Sequence, residues 1–111
     1  MKFENFYEYS KKKRCVYAIV FSDNAVYVGQ TQGDVATRIA QHLAQRDDTV
    51  RKYIDKHKVD FEVRTAYEYK RNHTNIQKWL YEKESKYMKD FADCGFKIIN
   101  ISKMKKLGID N

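Results

Sequence analysis

The stretch CVYAIVFSDNAVYVG, residues 15–29, decides how this sequence folds. Residues 15–21 form a short apolar run, Ser22-Asp23-Asn24 breaks it with turn-forming residues, and Ala25 to Gly29 resumes it. That pattern predicts a β-hairpin with an Asp/Asn-type turn. Tyr17 and Tyr27 lie on opposite arms, and strand alternation can aim both phenols at one place.

Downstream, Gly33-Asp34 ends the strand pattern. Asp34 is suited to cap a helix on which Val35, Ile39 and Leu43 recur every four residues. A shorter helix is expected from about Thr49 to His57, after Asp47-Asp48, burying Val50, Tyr53 and Ile54. From Val59 to Tyr67, Val59, Phe61, Val63, Thr65 and Tyr67 alternate with Asp60, Glu62 and Arg64, a period-two strand pattern. After the polar break at 70–73, Ile76, Leu80, Tyr87, Met88 and Phe91 form one stripe of a helix from about Asn75 to Phe91. Cys94-Gly95 closes that helix, with Gly95 as a left-handed cap, and Phe96 to Ile101 reads as a short extended segment. The expected order is β-β-α-α-β-α, a small α/β sandwich whose three-stranded, largely antiparallel sheet is flanked by helices. Residues 1–14 form an aromatic and basic leader, 15–101 the domain, and 102–111 a basic tail.

The 111 residues suit one domain, and 42% hydrophobic with 14% aromatic residues supply a packed core. Proline is absent, which excludes collagen-like and proline-rich readings. The 22 Lys and Arg against 15 Asp and Glu leave a net charge of +7, which favours a polyanionic partner, nucleic acid first. No run is long enough to span a membrane, and the leader places its charges after its aromatics, the wrong order for a secretory signal. A cytoplasmic location without membrane contact is the expectation. Cys15 and Cys94 have neither CxxC nor Cys/His metal spacing, so both are expected to be reduced and buried.

Helical phase singles out one acid. At 100° per residue, Glu84 lies about 40° from Leu80, in the gap of the apolar stripe, whereas Glu82 lies about 200° away. Glu82 also has Lys78 and Lys86 four residues to either side, which suits a solvated face. A carboxylate held in a core-facing stripe needs a partner. Arg38 or a lysine, solvent at the stripe's edge, or a metal ion would each supply one. Arg38 and His42, at i and i+4, project from one side of the first long helix.

With these residues in place, the sequence resembles the GIY-YIG nuclease family. The resemblance runs through VYAIVFSDNAVYVGQT, RIAQH, a helix holding EKESKYM, and KIINI, across residues 15–101. Cys15 replaces the family's first glycine, and Val16 and Val28 replace its isoleucines. The resemblance implies single-metal hydrolysis of a DNA phosphodiester. It implies that Tyr17 helps deprotonate the attacking water, Arg38 steadies phosphoryl charge, and Glu84 holds Mg²⁺ or Mn²⁺. Tyr27 and His42 orient or relay, and Asn100 braces the site.

Lys11, Lys12, Lys13, Arg14, Gln30 and Lys97, with Lys103, Lys105 and Lys106, are expected to meet phosphates around that core. DNA is the expected partner, and basic charge with stacking aromatics also suits RNA. Without an attached recognition module, selectivity falls to the domain itself, to a homodimer or to a partner protein. An inactive nucleic-acid-binding or inhibitor module on the same scaffold is the alternative reading, motivated by Cys15.

Overall fold

The computed structural model describes residues 5–70 and 75–100, so residues 71–73 of the polar break, Ile101 and the 102–111 tail with its lysines lie outside the described residues. The elements run α1 (Phe6–Tyr9), β1 (Lys13–Phe21), β2 (Ala25–Asp34), α2 (Val35–Ala44), α3 (Thr49–His57), β3 (Phe61–Ala66), α4 (Ile76–Asp93) and β4 (Lys97–Ile98).

The decisive segment is the hairpin β1–β2, and β1 pairs antiparallel with β3 on its other side. Enclosed by strands at both edges and helices on both faces, β1 is buried at every residue from Cys15 to Phe21. That explains an unbroken apolar run without polar alternation. Val16, Ala18, Val20, Val26 and Val28 pack with Leu80, Tyr87, Met88 and Phe91 of α4. Cys15, Tyr17, Ile19 and Phe21 form the second core with Val35 and Ile39 of α2, Val50 of α3 and Val63 of β3. The hairpin closes at Asn24, in the left-handed region at φ 63°, a conformation asparagine tolerates.

Asp34 caps α2 by accepting from Thr37 N at 2.8 Å, and Asp48 caps α3 by accepting from Val50 N at 2.8 Å. The expected stop at Gly33-Asp34 is a direct passage of β2 into α2. Gly95, at φ 89°, follows α4 as the left-handed residue its sequence position predicts.

The sheet has four strands, not three, in the order β3-β1-β2-β4. β4 adds to β2 in parallel, which makes the sheet mixed. Two residues are too few to display a period, so this strand exists through its tertiary partners. Lys97 N donates to Asn24 O at 3.1 Å and Ile99 N to Val26 O at 3.0 Å.

Within the leader, Asn5 and Glu8 form a capping box over α1, and Lys13 and Arg14 belong to β1. Cys94 is exposed where burial was expected, because it falls in the turn after α4, while Cys15 is buried and neither is in a disulfide. No described helix is long and apolar enough to cross a membrane.

Candidate active site

Hairpin register brings the two tyrosines together. Tyr17 pairs with Gly29 and Ile19 with Tyr27, so the two rings are diagonal neighbours on the face covered by α2 and α3. A Cβ on Gly29 would stand 2.6 Å from Tyr17 Oη and 3.1 Å from Tyr27 Cε1. Glycine is therefore required there because the phenol of Tyr17 lies across its backbone. Cys15, two residues earlier on the same face, fills core space and is fully buried.

Helix α2 carries His42 to this place. Tyr17 Oη lies 2.7 Å from His42 Nε2, and His42 Nδ1 lies 2.9 and 3.0 Å from the two carboxylate oxygens of Asp48. An ionised carboxylate only accepts, so Nδ1 carries a proton, and with the ring neutral Nε2 accepts from the phenol. The result is a directed chain, Tyr17 to His42 to Asp48. Its middle member is 1% exposed, and the Tyr27 ring packs edge-on against the imidazole at 4.9 Å between centroids.

Burial drives the Tyr17 phenol far above the ordinary tyrosine range, the nearby Tyr27 and Glu84 raise it further, and Arg38 opposes the rise through charge and a hydrogen bond. Tyr27, half-buried, is also raised, again chiefly by burial, with Arg38 opposing and Asp48 and Glu84 adding to it. Arg38, Glu84 and Asp48 thus act electrostatically on one pair of phenols. Arg38 is half-buried, and its Nη1 donates to Gln41 Oε1 at 3.3 Å.

Glu84 has no exposed surface, whereas Glu82 is exposed, as helical phase predicts. Its Oε2 accepts from Gln30 Nε2 at 2.9 Å. Gln30 Oε1 accepts from Gln77 Nε2 at 3.4 Å, and Gln77 Oε1 accepts from Gln32 Nε2 at 2.7 Å. Three glutamines from β2 and α4 therefore point head to tail toward one buried carboxylate. Gln30, expected to meet phosphate, is turned inward to Glu84.

Asn100 Nδ2 donates to Val28 O at 2.8 Å, between Tyr27 and Gly29, and so tethers the chain after β4 to the tyrosine strand. The basic residues do not converge on this site. Lys11 and Lys12 line a separate cleft with Glu8, Arg64 and Glu68, and Lys97 lines another beside α3. Arg14 lies over the Tyr69 ring at 6.0 Å, and Lys13 N donates to Glu68 at 3.4 Å.

Asp48 is the member that sequence reasoning missed. A helix N-cap fully accounts for an acid before Thr49, so nothing local marks its second bond to His42. Glu84 is the α4 carboxylate that acts on the Tyr17 and Tyr27 phenols, and it could hold a hard divalent cation here. Among the described residues no cluster of three metal-ligating side chains exists, so such an ion would draw its other ligands from water and substrate.

A hairpin presenting two phenols, a helix presenting arginine and histidine, and a second helix presenting one buried glutamate define a class of small α/β catalytic domain. A model of the GIY-YIG catalytic domain matches residues 13–98, most of the chain, and the chain belongs to that family. The family is one of nucleases, generally endonucleases that act on nucleic acid with a divalent metal. No curated protein and no solved structure matches the chain.

Proposed function

We propose that this protein is an endonuclease that hydrolyses DNA phosphodiester bonds with one Mg²⁺ or Mn²⁺ held by Glu84. The observation that carries the reading is the Tyr17–His42–Asp48 chain beside Arg38 and Glu84. A phenol this far above its ordinary range is a poor base alone. Coupled to a neutral histidine, it can accept a proton from water while passing its own to Nε2, and Asp48 stabilises the imidazolium formed. Tyr27, the more exposed phenol, orients the incoming water.

Arg38 supplies a permanent planar charge to the non-bridging phosphate oxygens, where negative charge grows in the transition state. A single hard carboxylate suits an ion that otherwise keeps waters and phosphate ligands. When bound, that ion would supply charge stabilisation at the phosphate and its leaving oxygen. Gln30 orients the carboxylate that holds it, and Asn100 fixes the strand carrying Tyr27.

The test is nicking of supercoiled, linear, single-stranded and branched DNA with Mg²⁺ or Mn²⁺, alongside Glu84→Ala and a matched RNA. Cleavage of DNA by the wild type, lost in Glu84→Ala with DNA affinity retained, is the expected result. Wild type and variant that both bind DNA and both leave it intact would replace this reading with that of a binding module.

A further inference from the structure

We infer that the cleft between α3 and β4 is the track along which the sugar-phosphate backbone of duplex DNA leaves the reaction site. The inference rests on the nuclease reading and adds a location for the substrate. The cleft has a volume of about 350 Å³, and its charged lining consists of Lys52, Lys56 and Lys97, with His57 alongside. Among the described residues no carboxylate lines it.

Among the described residues none of these three lysines is in an ion pair, whereas Arg51 on the same helix is bonded to Asp55 at 3.0 Å. Lys52 and Lys56 stand at i and i+4, a like-charge pair; Lys56 in the last turn suits the helix C-terminus, whereas Lys52 has no such role there. The cleft's aromatic wall is Tyr53 against His57, with ring centroids 4.2 Å apart. The Tyr53 hydroxyl donates to Asp23, occupying that carboxylate.

Two lining residues connect the cleft to the site. Thr49 directly follows Asp48, which holds His42, and Ile99 directly precedes Asn100, which holds Val28. The larger cleft beside α1, about 680 Å³, sets Lys11, Lys12 and Arg64 against Glu8 and Glu68, so it presents mixed charge to a polyanion. Charge complementarity therefore favours the α3/β4 cleft.

The test is fluorescence anisotropy of a labelled DNA duplex in EDTA across a salt series. The full-length wild type is compared with Lys52→Glu/Lys56→Glu and with a control of equal charge change on α4, Lys78→Glu/Lys89→Glu. Cleft reversal is expected to weaken binding at least ~10-fold and to lower the salt slope by about 2, the loss of two phosphate contacts. The control should change affinity less than ~3-fold. Circular dichroism melts check folding, and Lys97→Glu gives a second reading from a different element.

Equal effects of cleft and control reversal, or no effect of cleft reversal, would overturn the inference, as would a wild type that does not bind. If the wild type binds through the cleft yet cuts nothing, the nuclease reading falls and the track stands. If it cuts and cleft reversal alters neither affinity nor KM, the track alone falls.

Discussion

One carboxylate at Asp48 bonds the Val50 amide and the His42 imidazole together, which ties the start of α3 to the chemistry of α2. The two bonds can be separated by substitution. Asparagine caps a helix about as well as aspartate but cannot stabilise an imidazolium by charge. Asp48→Asn should change unfolding free energy by less than about 1 kcal/mol yet lower kcat by roughly 10²-fold, within the range of general acid–base contributions. Parallel urea titration and nicking kinetics check this; an unchanged kcat would assign Asp48 to the cap alone. At the same scale, Gly29 and Tyr17 form one unit, because a methyl group at 29 would occupy the place of the phenol.

Elements set the site through a ladder that continues past its strand. Asn24 O and Val26 O accept from Lys97 N and Ile99 N, and the next carbonyl in alternation, Val28 O, accepts from the side chain of Asn100. A side-chain amide thus makes the third rung after β4 ends. Removing it leaves the Val28 carbonyl unpaired beside Tyr27 and Gly29. Asn100→Ala should cost about 1–3 kcal/mol and speed amide exchange at β4, while β1–β3 amides stay protected. Hydrogen exchange reads this directly; uniform protection across the sheet would remove Asn100 from the bracing role.

At the scale of the whole molecule, buried phenols couple stability to alkaline pH. Burial raises the phenols of Tyr17 and Tyr27 above the ordinary tyrosine value, and burial with the acceptor Asp23 pushes Tyr53 up to about 12. The folded state keeps protons that the unfolded chain releases near pH ~10. Their contribution is therefore complete below that pH and lost as pH rises through the folded values. The urea midpoint should be level from pH 7 to 9 and fall between 10 and 12. Tyr17→Phe should start about 1 kcal/mol lower, from its lost bond to His42, and fall less steeply. An unchanged slope in that variant would show that Tyr17 is not a source of the alkaline loss.

Local pattern alone determined much of this protein. The hairpin reads from an apolar run broken by Ser22-Asp23-Asn24, α2 and α3 from their caps and four-residue spacing, and the burial of Glu84 from its angle to Leu80 on α4. These signals are legible because period and turn chemistry are properties of consecutive residues. Tertiary structure decided what depends on meetings between distant segments. β4 has no period to display and exists as a partner of β2. Asp48 serves a local cap that conceals its bond to His42, six residues away. Gln30 faces inward because α4 places Glu84 opposite it, 54 residues along the chain. In each case the deciding energy is a hydrogen bond between segments that only the folded packing brings within about 3 Å, where a buried polar group must find its partner.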